Sequence, residues 1–269
     1  MLPFYVRGVA PGSVVRLEST YAMFKVPKVD DSAGTLTSVL TASYKVAPWI
    51  APLARVGLVH SSVGDKSGMG ISNVGVGAML GTKLAPSLRL GALVLFTVPI
   101  GSGAGNSPNA DTKMAIGNAS PARYVFDSSI YATNDQVAIG GLDFAFIQSG
   151  LTAQFEATVF QFTRVRGDQV QKDSSRTLMT EALFLGYFII PELSVGAEFR
   201  HSHWLSTPAA VEKDSKTRNN VSGGIGLRGH FKLSKTVWFR PALAYHQAID
   251  TPLRTSEYKY VQLDLPFAF

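Results

Sequence analysis

The chain has 269 residues, of which 46% are hydrophobic and only 16% are charged, and its formal net charge is +6. Ordinary soluble domains carry about 25% charged residues, so this composition argues against one. The chain contains no cysteine, which excludes a disulfide framework and a thiolate metal site. Its basic residues are scattered rather than clustered, so we expect no nucleic-acid partner.

Apolar and polar residues alternate in segments of about a dozen residues, the pattern of strands with two different faces. In the segment at residues 87–99, Leu90 and Phe96 share one face, and Arg89 and Thr97 share the other. The longest apolar run, LGALVLFTVPI, falls far short of the roughly 20 residues that a spanning helix needs. In chain order, the predicted strands are residues 13–25, 35–46, 52–63, 71–82, 87–99, 136–147, 151–165, 177–190, 193–205, 220–232, 236–248 and 255–269.

Short and long connectors alternate between these segments. KLAPS, QSG and PE are short, whereas GDKSGMG and TPAAVEKDSKTRN are long and polar. Short turns at one end and long loops at the other are typical of outer-membrane barrels. The sequence therefore predicts an all-β fold, a transmembrane antiparallel up-and-down β-barrel of about 12 strands, in the bacterial outer membrane. A soluble sandwich or lipocalin-like barrel is the alternative, but sandwiches rarely combine so many strands with this connector pattern.

We expect one domain. Residues 1–12 are predicted to form an N-terminal periplasmic segment, and residues 13–269 the barrel. The connector at residues 101–135 is far longer than the others and is predicted to be an extracellular loop. Its first residues include the flexible Gly101, Gly103 and Gly105, and its later residues are partly apolar, so it is expected to fold inward and narrow the lumen. A surface hairpin in its tail, or two additional spanning strands that would make 14, are the alternatives.

The final segment, YVQLDLPFAF, places Val261, Leu263, Leu265, Phe267 and Phe269 on one face. This face is predicted to contact lipid. The segment resembles the C-terminal signature of bacterial outer-membrane barrels, and the resemblance implies that Phe267 and Phe269 are an assembly signal read by the outer-membrane assembly machinery. Pro266 departs from the signature, because proline provides no N–H for a strand ladder.

Charged side chains of both signs fall on the opposite, inward faces of the strands. A buried charge must be paired or hydrated, so these residues are predicted to form cross-strand ion pairs, to line a polar conduit, or both. Arg200, Arg228 and Arg240 lie on neighbouring strands, and a ladder of arginines there would favour anions. The predicted lumen-lining residues are Arg16, Glu18, Arg55, Arg89, Asp143, Glu156, Glu198, Arg200, Arg228, Arg240 and Asp264, and Lys45, Arg164, Glu181 and Lys232 are placed on the same face.

Residues 71–103, ISNVGVGAMLGTKLAPSLRLGALVLFTVPIGSG, resemble the family of outer-membrane transporters associated with phenol degradation. The resemblance rests on a glycine-rich strand, a short turn and an apolar strand ending in Pro-x-Gly. It implies uptake of small, often aromatic, compounds and assigns no binding residue.

A second, weaker resemblance involves the stretch LVHSSVG. It is similar to the His-x-Ser-Asn motif of outer-membrane phospholipase A and lipid A deacylase barrels. His60 and Ser62 share the lipid face, where a base two residues from its nucleophile is well placed, and Asn73 on the next strand is the candidate orienting residue. Val63 stands where the motif has asparagine, and the alternation puts Asn73 on the inward face.

The sequence thus predicts a channel for passive uptake of small solutes, including aromatic or hydrophobic ones, rather than an enzyme. A lipid-acyl hydrolase and a structural barrel of an envelope complex are the alternatives. The expected partners are outer-membrane lipids, lipopolysaccharide, a small-molecule solute and the assembly machinery, and the oligomeric state is left open. His201 and His203 share a face, but two ligands are too few for a metal site, so no metal and no cofactor is predicted.

Overall fold

The computed structural model describes residues 4, 7–26, 31–105, 107–123, 129–168, 173–251 and 253–269. Its strands form a closed antiparallel barrel of 12 spanning strands, as predicted. The strands are β1 (Val14–Lys25), β2 (Ser32–Ser43), β3 (Ile50–Val63), β4 (Lys66–Ile71), β5 (Val74–Ala85), β6 (Leu88–Val98), β7 (Asp135–Gln148), β8 (Leu151–Arg164), β9 (Ser175–Ile190), β10 (Leu193–Trp204), β11 (Asn219–Gly229), β12 (Phe231–Lys232), β13 (Trp238–Phe239), β14 (Ala242–Ala248) and β15 (Lys259–Ala268).

The barrel closes where β15 pairs with β1, with Leu17 opposite Leu265. Strand β4 pairs with the outer part of β3 and extends that hairpin, so β5 is the next strand of the wall. Strands β12 and β13 continue β11 and β14 beyond short breaks. The break before β14 contains Pro241, which has no N–H for the ladder. Pro266 stays within β15, and its carbonyl accepts a hydrogen bond from the N–H of Arg240 at this break (3.1 Å).

The outer face of the barrel is apolar over its whole circumference. Large exposed side chains on this face include Leu36, Val94, Phe144, Phe155, Leu185, Phe199, Leu243, Val261, Leu263, Phe267 and Phe269. In a bilayer these side chains are solvated by lipid, and closure of the sheet satisfies the backbone groups of the strands. The apolar exterior and the closed sheet therefore define a transmembrane barrel.

Two helices lie in the long connectors at the loop end of the barrel. Helix α1 (Ala110–Ala122) begins at Asn109, whose side-chain oxygen accepts a hydrogen bond from the N–H of Thr112 (2.9 Å). A shorter helix, α2 (Ala209–Lys213), lies in the connector between β10 and β11. Among the described residues, neither helix is long and apolar enough to cross a bilayer.

Helix α1 belongs to the long connector and packs inside the barrel against β2, β3 and β4. Ala115, Ile116 and Ala119 are buried together with Ile130 and Tyr131 against Val39 and Val59 of the wall. The small alanines let the helix lie close to the sheet, and Gly57 of β3 leaves the space that the Tyr131 hydroxyl occupies. The structure thus places the described part of residues 101–135 in the lumen, and that part adds no spanning strand. Residues 106 and 124–128, which include part of the predicted strand-like tail, lie outside the described residues.

The described residues before β1 also enter the barrel. Phe4 is 1% exposed, and Val9 lies with its carbonyl against Gly81 of β5 and Gly91 of β6. The prediction of a periplasmic segment at residues 1–12 is therefore wrong for Phe4 and residues 7–12, and the remaining positions lie outside the described residues. The physical reason is charge: inward carboxylates on the wall attract Arg7, as the site geometry shows.

Candidate functional site

The lumen has one apolar wall. It is built by inward-facing residues of β3 and β5–β9, and these side chains are mutually packed and buried. They are Leu53, Leu93, Leu95, Val137, Ile139, Phe160, Phe162 and Leu178, with Met79, Ala132 and Trp204 beside them. We did not predict this wall. The signal was available in β6, where Leu93 and Leu95 make the inward face apolar as well as the outward one.

A chain of ion pairs crosses the opposite wall. Asp264 of β15 accepts hydrogen bonds from Arg16 of β1 (2.7 Å) and from Arg228 of β11 (2.6 Å). Arg16 also contacts the Glu18 carboxylate (3.3 Å). Asp264 is 1% exposed. Loss of its carboxylate, or of the guanidinium groups that bind it, would therefore leave a buried charge without a partner. These residues therefore form cross-strand ion pairs in this structure.

Arg7 of the N-terminal segment is held by the wall of β7 and β8. Asp143 and Glu156 lie directly opposite each other on these strands, and two neighbouring carboxylates repel unless a cation separates them. The guanidinium group of Arg7 lies 3.2 Å from Asp143 and 3.2 Å from Glu156 and donates a hydrogen bond to Thr158 (2.8 Å). Its backbone N–H donates to Glu156 (2.9 Å).

Phe4 occupies the middle of the lumen. Its N–H donates to Glu198 of β10 (2.6 Å), and its carbonyl accepts hydrogen bonds from Gln262 of β15 (3.2 Å) and from Arg16. Its ring meets Phe184 edge to face, with 5.9 Å between centroids. The N-terminal segment therefore acts as an inner plug, defined here as Phe4 and residues 7–12.

The two inserted elements meet near Glu18. The Glu18 carboxylate lies 3.8 Å from the guanidinium of Arg123, which directly follows α1 and is fully buried. Gln262 reaches both Glu18 (3.4 Å) and the carbonyl of Phe4. We call α1 with Arg123 and residues 129–131 the outer plug. Glu18 and Gln262 therefore connect the inner and outer plugs through the barrel wall.

The predicted arginine ladder does not form. Arg200 lies opposite Ser222 on β11, so Arg228 is six residues away along that strand, a separation of about 20 Å. Arg200 lies 3.8 Å from Glu198, and Arg240 lies over the ring of Trp238 (5.2 Å). These arginines are therefore at different heights with different partners.

The other predicted lumen residues lie in several different places. Arg55 and Glu156 line an inner cavity, and Arg164 pairs with Asp135 (2.7 Å) in the outer lumen. Arg89 binds the carbonyls of its own turn, with 3.0 Å to Ala85, at the short-turn end of the barrel. Glu181 was predicted to face inward, but the burial pattern of β9 places it on the outer face. Lys45 and Lys232 are exposed.

An inner cavity of about 140 Å³ lies between the apolar and charged walls. Leu93, Ile139 and Phe160 form its apolar side. Arg16 and Arg200 are among the charged residues of its other side. Residues of the inner plug, including Arg7 and Ala10, close it.

An outer vestibule of about 490 Å³ opens beside α1. Its floor includes Phe162 and Trp204, whose rings are 5.9 Å apart. Asp135 lies at its wall and pairs with Arg164 and Arg176. Inner cavity and vestibule share the apolar wall, since Phe160 lines the first and Phe162 the second.

The residues suggested for a hydrolase are not brought together. His60 and Ser62 lie on the outer face as predicted, but Asn73 is fully buried on the inner side. Its amide donates to the carbonyls of Ala132 (3.0 Å) and Asp135 (3.2 Å) and accepts from the N–H of Gly101 (3.0 Å). Asn73 therefore fastens both ends of the long connector and lies on the opposite side of the wall from His60, so it does not orient that histidine.

Solved structures with the same fold include outer-membrane channels and porins. The COG4313 outer membrane channel from Pseudomonas putida F1 is similar with a TM-score of 0.59 at 13% identity, covering 96% of each chain. The NanC porin is similar with a TM-score of 0.53 at 8% identity, covering 95% of this chain and 98% of the porin. The KdgM porin is similar with a TM-score of 0.52 at 9% identity, covering 95% of this chain and 99% of the porin. No protein-family model and no curated protein sequence matches the chain. The fold is that of a bacterial outer-membrane β-barrel.

Proposed function

We propose that this protein is a passive channel for small solutes in the outer membrane. The observation that supports the proposal most is the inner cavity, which combines an apolar wall with a charged wall inside a barrel. A purely structural barrel has no need of such a cavity, since a filled lumen is more stable than one with unfilled space. The similar folds of known channels and porins agree with this function.

The proposed solutes have a flat apolar body and at least one polar group. The apolar body would pack against Leu93, Ile139 and Phe160, and the polar group would face the charged side with Arg16. The cavity of about 140 Å³ is close in size to the engineered apolar cavity of about 150 Å³ that binds benzene. A single aromatic ring with a polar substituent is therefore the proposed solute size.

Both plugs would have to move for a solute to pass. The inner plug lines the inner cavity, and the outer plug packs on the barrel wall at Val39 and Val59. We therefore propose that the described arrangement is the closed state of the channel. Opening would displace both plugs, while the barrel wall stays intact.

The test is conductance in planar bilayers together with solute uptake into vesicles. One variant replaces residues 107–131 with a short Gly-Ser linker, a second lacks residues 1–12, and a third combines both changes. Each single variant should conduct more than the parent, and the combined variant should conduct most. Heat-modifiable electrophoretic mobility shows whether each of the four proteins is folded. Equal conductance of all four folded proteins would contradict the channel proposal.

A solute-specific variant tests the class of solute. Phe160→Gln should slow the uptake of a small aromatic acid more than that of a sugar of similar mass, because it adds a polar group to the apolar wall. Phe160→Leu is the matched control, since it keeps that wall apolar. If Phe160→Gln slows the uptake of the aromatic acid and of the sugar equally, the proposed preference for aromatic solutes is wrong. The proposal of a channel is not affected by that result.

The proposal extends to the surroundings of the barrel. Outer-membrane lipids and lipopolysaccharide would contact the apolar exterior. Phe267 and Phe269, which are 40% and 56% exposed, would be available to the assembly machinery. Loss of membrane insertion in a Phe269→Ala variant, with normal amounts of secreted precursor, would support this role.

A further inference from the structure

Three potential metal ligands converge on the outer face of the barrel, near the loop ends of β9 and β10. His201 lies directly opposite Glu181, and His203 follows two residues later on the same face. The Nδ1 atom of His201 is 2.9 Å from Oε2 of Glu181, and the Nδ1 atom of His203 is 3.6 Å from it. The sequence alone showed only the two histidines; the pairing of β9 with β10 supplies the third ligand.

The spacing of these atoms matches a zinc site. Zinc binds imidazole nitrogen at about 2.0–2.1 Å with tetrahedral geometry, which puts neighbouring ligand atoms about 3.3 Å apart. The three donor atoms lie within 4.8 Å of one another. Small rotations of the side chains, which are between 25% and 33% exposed, are enough to bring all three to that spacing.

Hydrogen bonding around the histidines also points to a ligand. The Nδ1 atom of His203 is buried from solvent and has no hydrogen-bond partner, although a buried polar atom of this kind normally has one. The Nε2 atom of His201 lies 3.4 Å from the side-chain oxygen of Asn219. The Nδ1 atom of His201 is hydrogen-bonded to Glu181 in the metal-free protein (2.9 Å). A bound ion would replace the proton of that hydrogen bond, and Nε2–H would then donate to Asn219, as the second nitrogen of metal-bound histidines does.

We propose that Glu181, His201 and His203 bind a divalent ion of the zinc class at the outer rim of the barrel. Two imidazoles and a carboxylate are suitable ligands for such an ion, and a water molecule completes the tetrahedron. The bound ion links β9 to β10 where the connectors begin. It thereby opposes separation of these two strands, whose loop ends adjoin the outer vestibule wall at Arg176 and Trp204.

Zinc titration of the intact protein in detergent tests the proposal. The preparation carries no polyhistidine tag and is first treated with a chelator, because a tag would bind zinc itself. We expect one equivalent of Zn²⁺ to bind, and Co²⁺ at the same site to give the visible absorption of a tetrahedral complex. His203→Gln and Glu181→Gln should each weaken binding at least tenfold, in line with the loss of one ligand of three.

His60→Gln is the matched control, because His60 is also an exposed histidine on the outer face but lies on β3. It should bind Zn²⁺ like the parent. Saturable binding of one equivalent that His203→Gln and Glu181→Gln weaken and His60→Gln does not supports the proposal. No saturable binding to the parent, or equal binding by the parent and His203→Gln, overturns it. All variants are checked for the folded electrophoretic mobility, so a folding defect is recognised as such.

Discussion

Replacing Arg7 with alanine should release the inner plug from the lumen. Arg7 separates two carboxylates, and the Asp143 side chain is only 2% exposed. Removing one partner of a buried ion pair costs about 3–5 kcal/mol, and Arg7, at 17% exposure, is partly hydrated. We therefore take the lower end, about 3 kcal/mol, which corresponds to a shift of about 10²-fold in the ratio of displaced to seated plug.

The absence of cysteine from the sequence makes this shift measurable. A single cysteine introduced as Val9→Cys is buried when the plug is seated, because Val9 is 9% exposed. Its rate of labelling by a water-soluble maleimide then reports how often the plug leaves. Adding Arg7→Ala should accelerate labelling by about 10²-fold, if labelling is slower than reseating.

The matched control is Arg89→Ala, which removes an arginine from the same end of the barrel. Arg89 binds the carbonyls of its own turn, so its loss should change the labelling rate little. Equal labelling rates for the parent and Arg7→Ala, with both proteins folded, would refute the reasoning. It would mean that the ion pairs of Arg7 do not hold the plug in place.

Three further changes test other parts of the structure. Asp264→Ala should lower the free energy of unfolding by about 3–5 kcal/mol, because two buried guanidinium groups share this carboxylate. Unfolding in urea is followed by the change in electrophoretic mobility between folded and unfolded protein, and an unchanged midpoint would contradict this. Gly57→Val should expel the outer plug and raise conductance, because a Cβ there would lie 2.5 Å from the Tyr131 hydroxyl. Gly140→Val is the control: a Cβ at Gly140 would meet nothing within 4 Å, so conductance should stay unchanged. Neither the parent nor Ser62→Ala should release acyl chains from phospholipid, since Asn73 is engaged elsewhere. Release by the parent that Ser62→Ala abolishes would establish the hydrolase instead.

The strands and their outer faces could be predicted from the sequence because both depend on local patterns. Residues such as Leu263 and Phe267 alternate with polar or small ones, and one face of every spanning strand meets lipid. The same alternation selected Arg16, Glu18 and Asp264 as inward residues. It misassigned Glu181, because a polar side chain near the rim of the barrel can lie on the outer face as well as in the lumen.

What the inward residues contact was decided only by the tertiary structure. Arg7 meets Asp143 and Glu156 from more than a hundred positions away along the chain, and no local pattern marks residues 7–12 as a plug. Likewise, Glu181 joins His201 only through the register of β9 against β10. Period-two alternation determines which face a side chain is on, whereas closure of the barrel and its strand register determine which side chains share that face at the same height. The charge partners, the two plugs and the cavity between them all follow from that second kind of information.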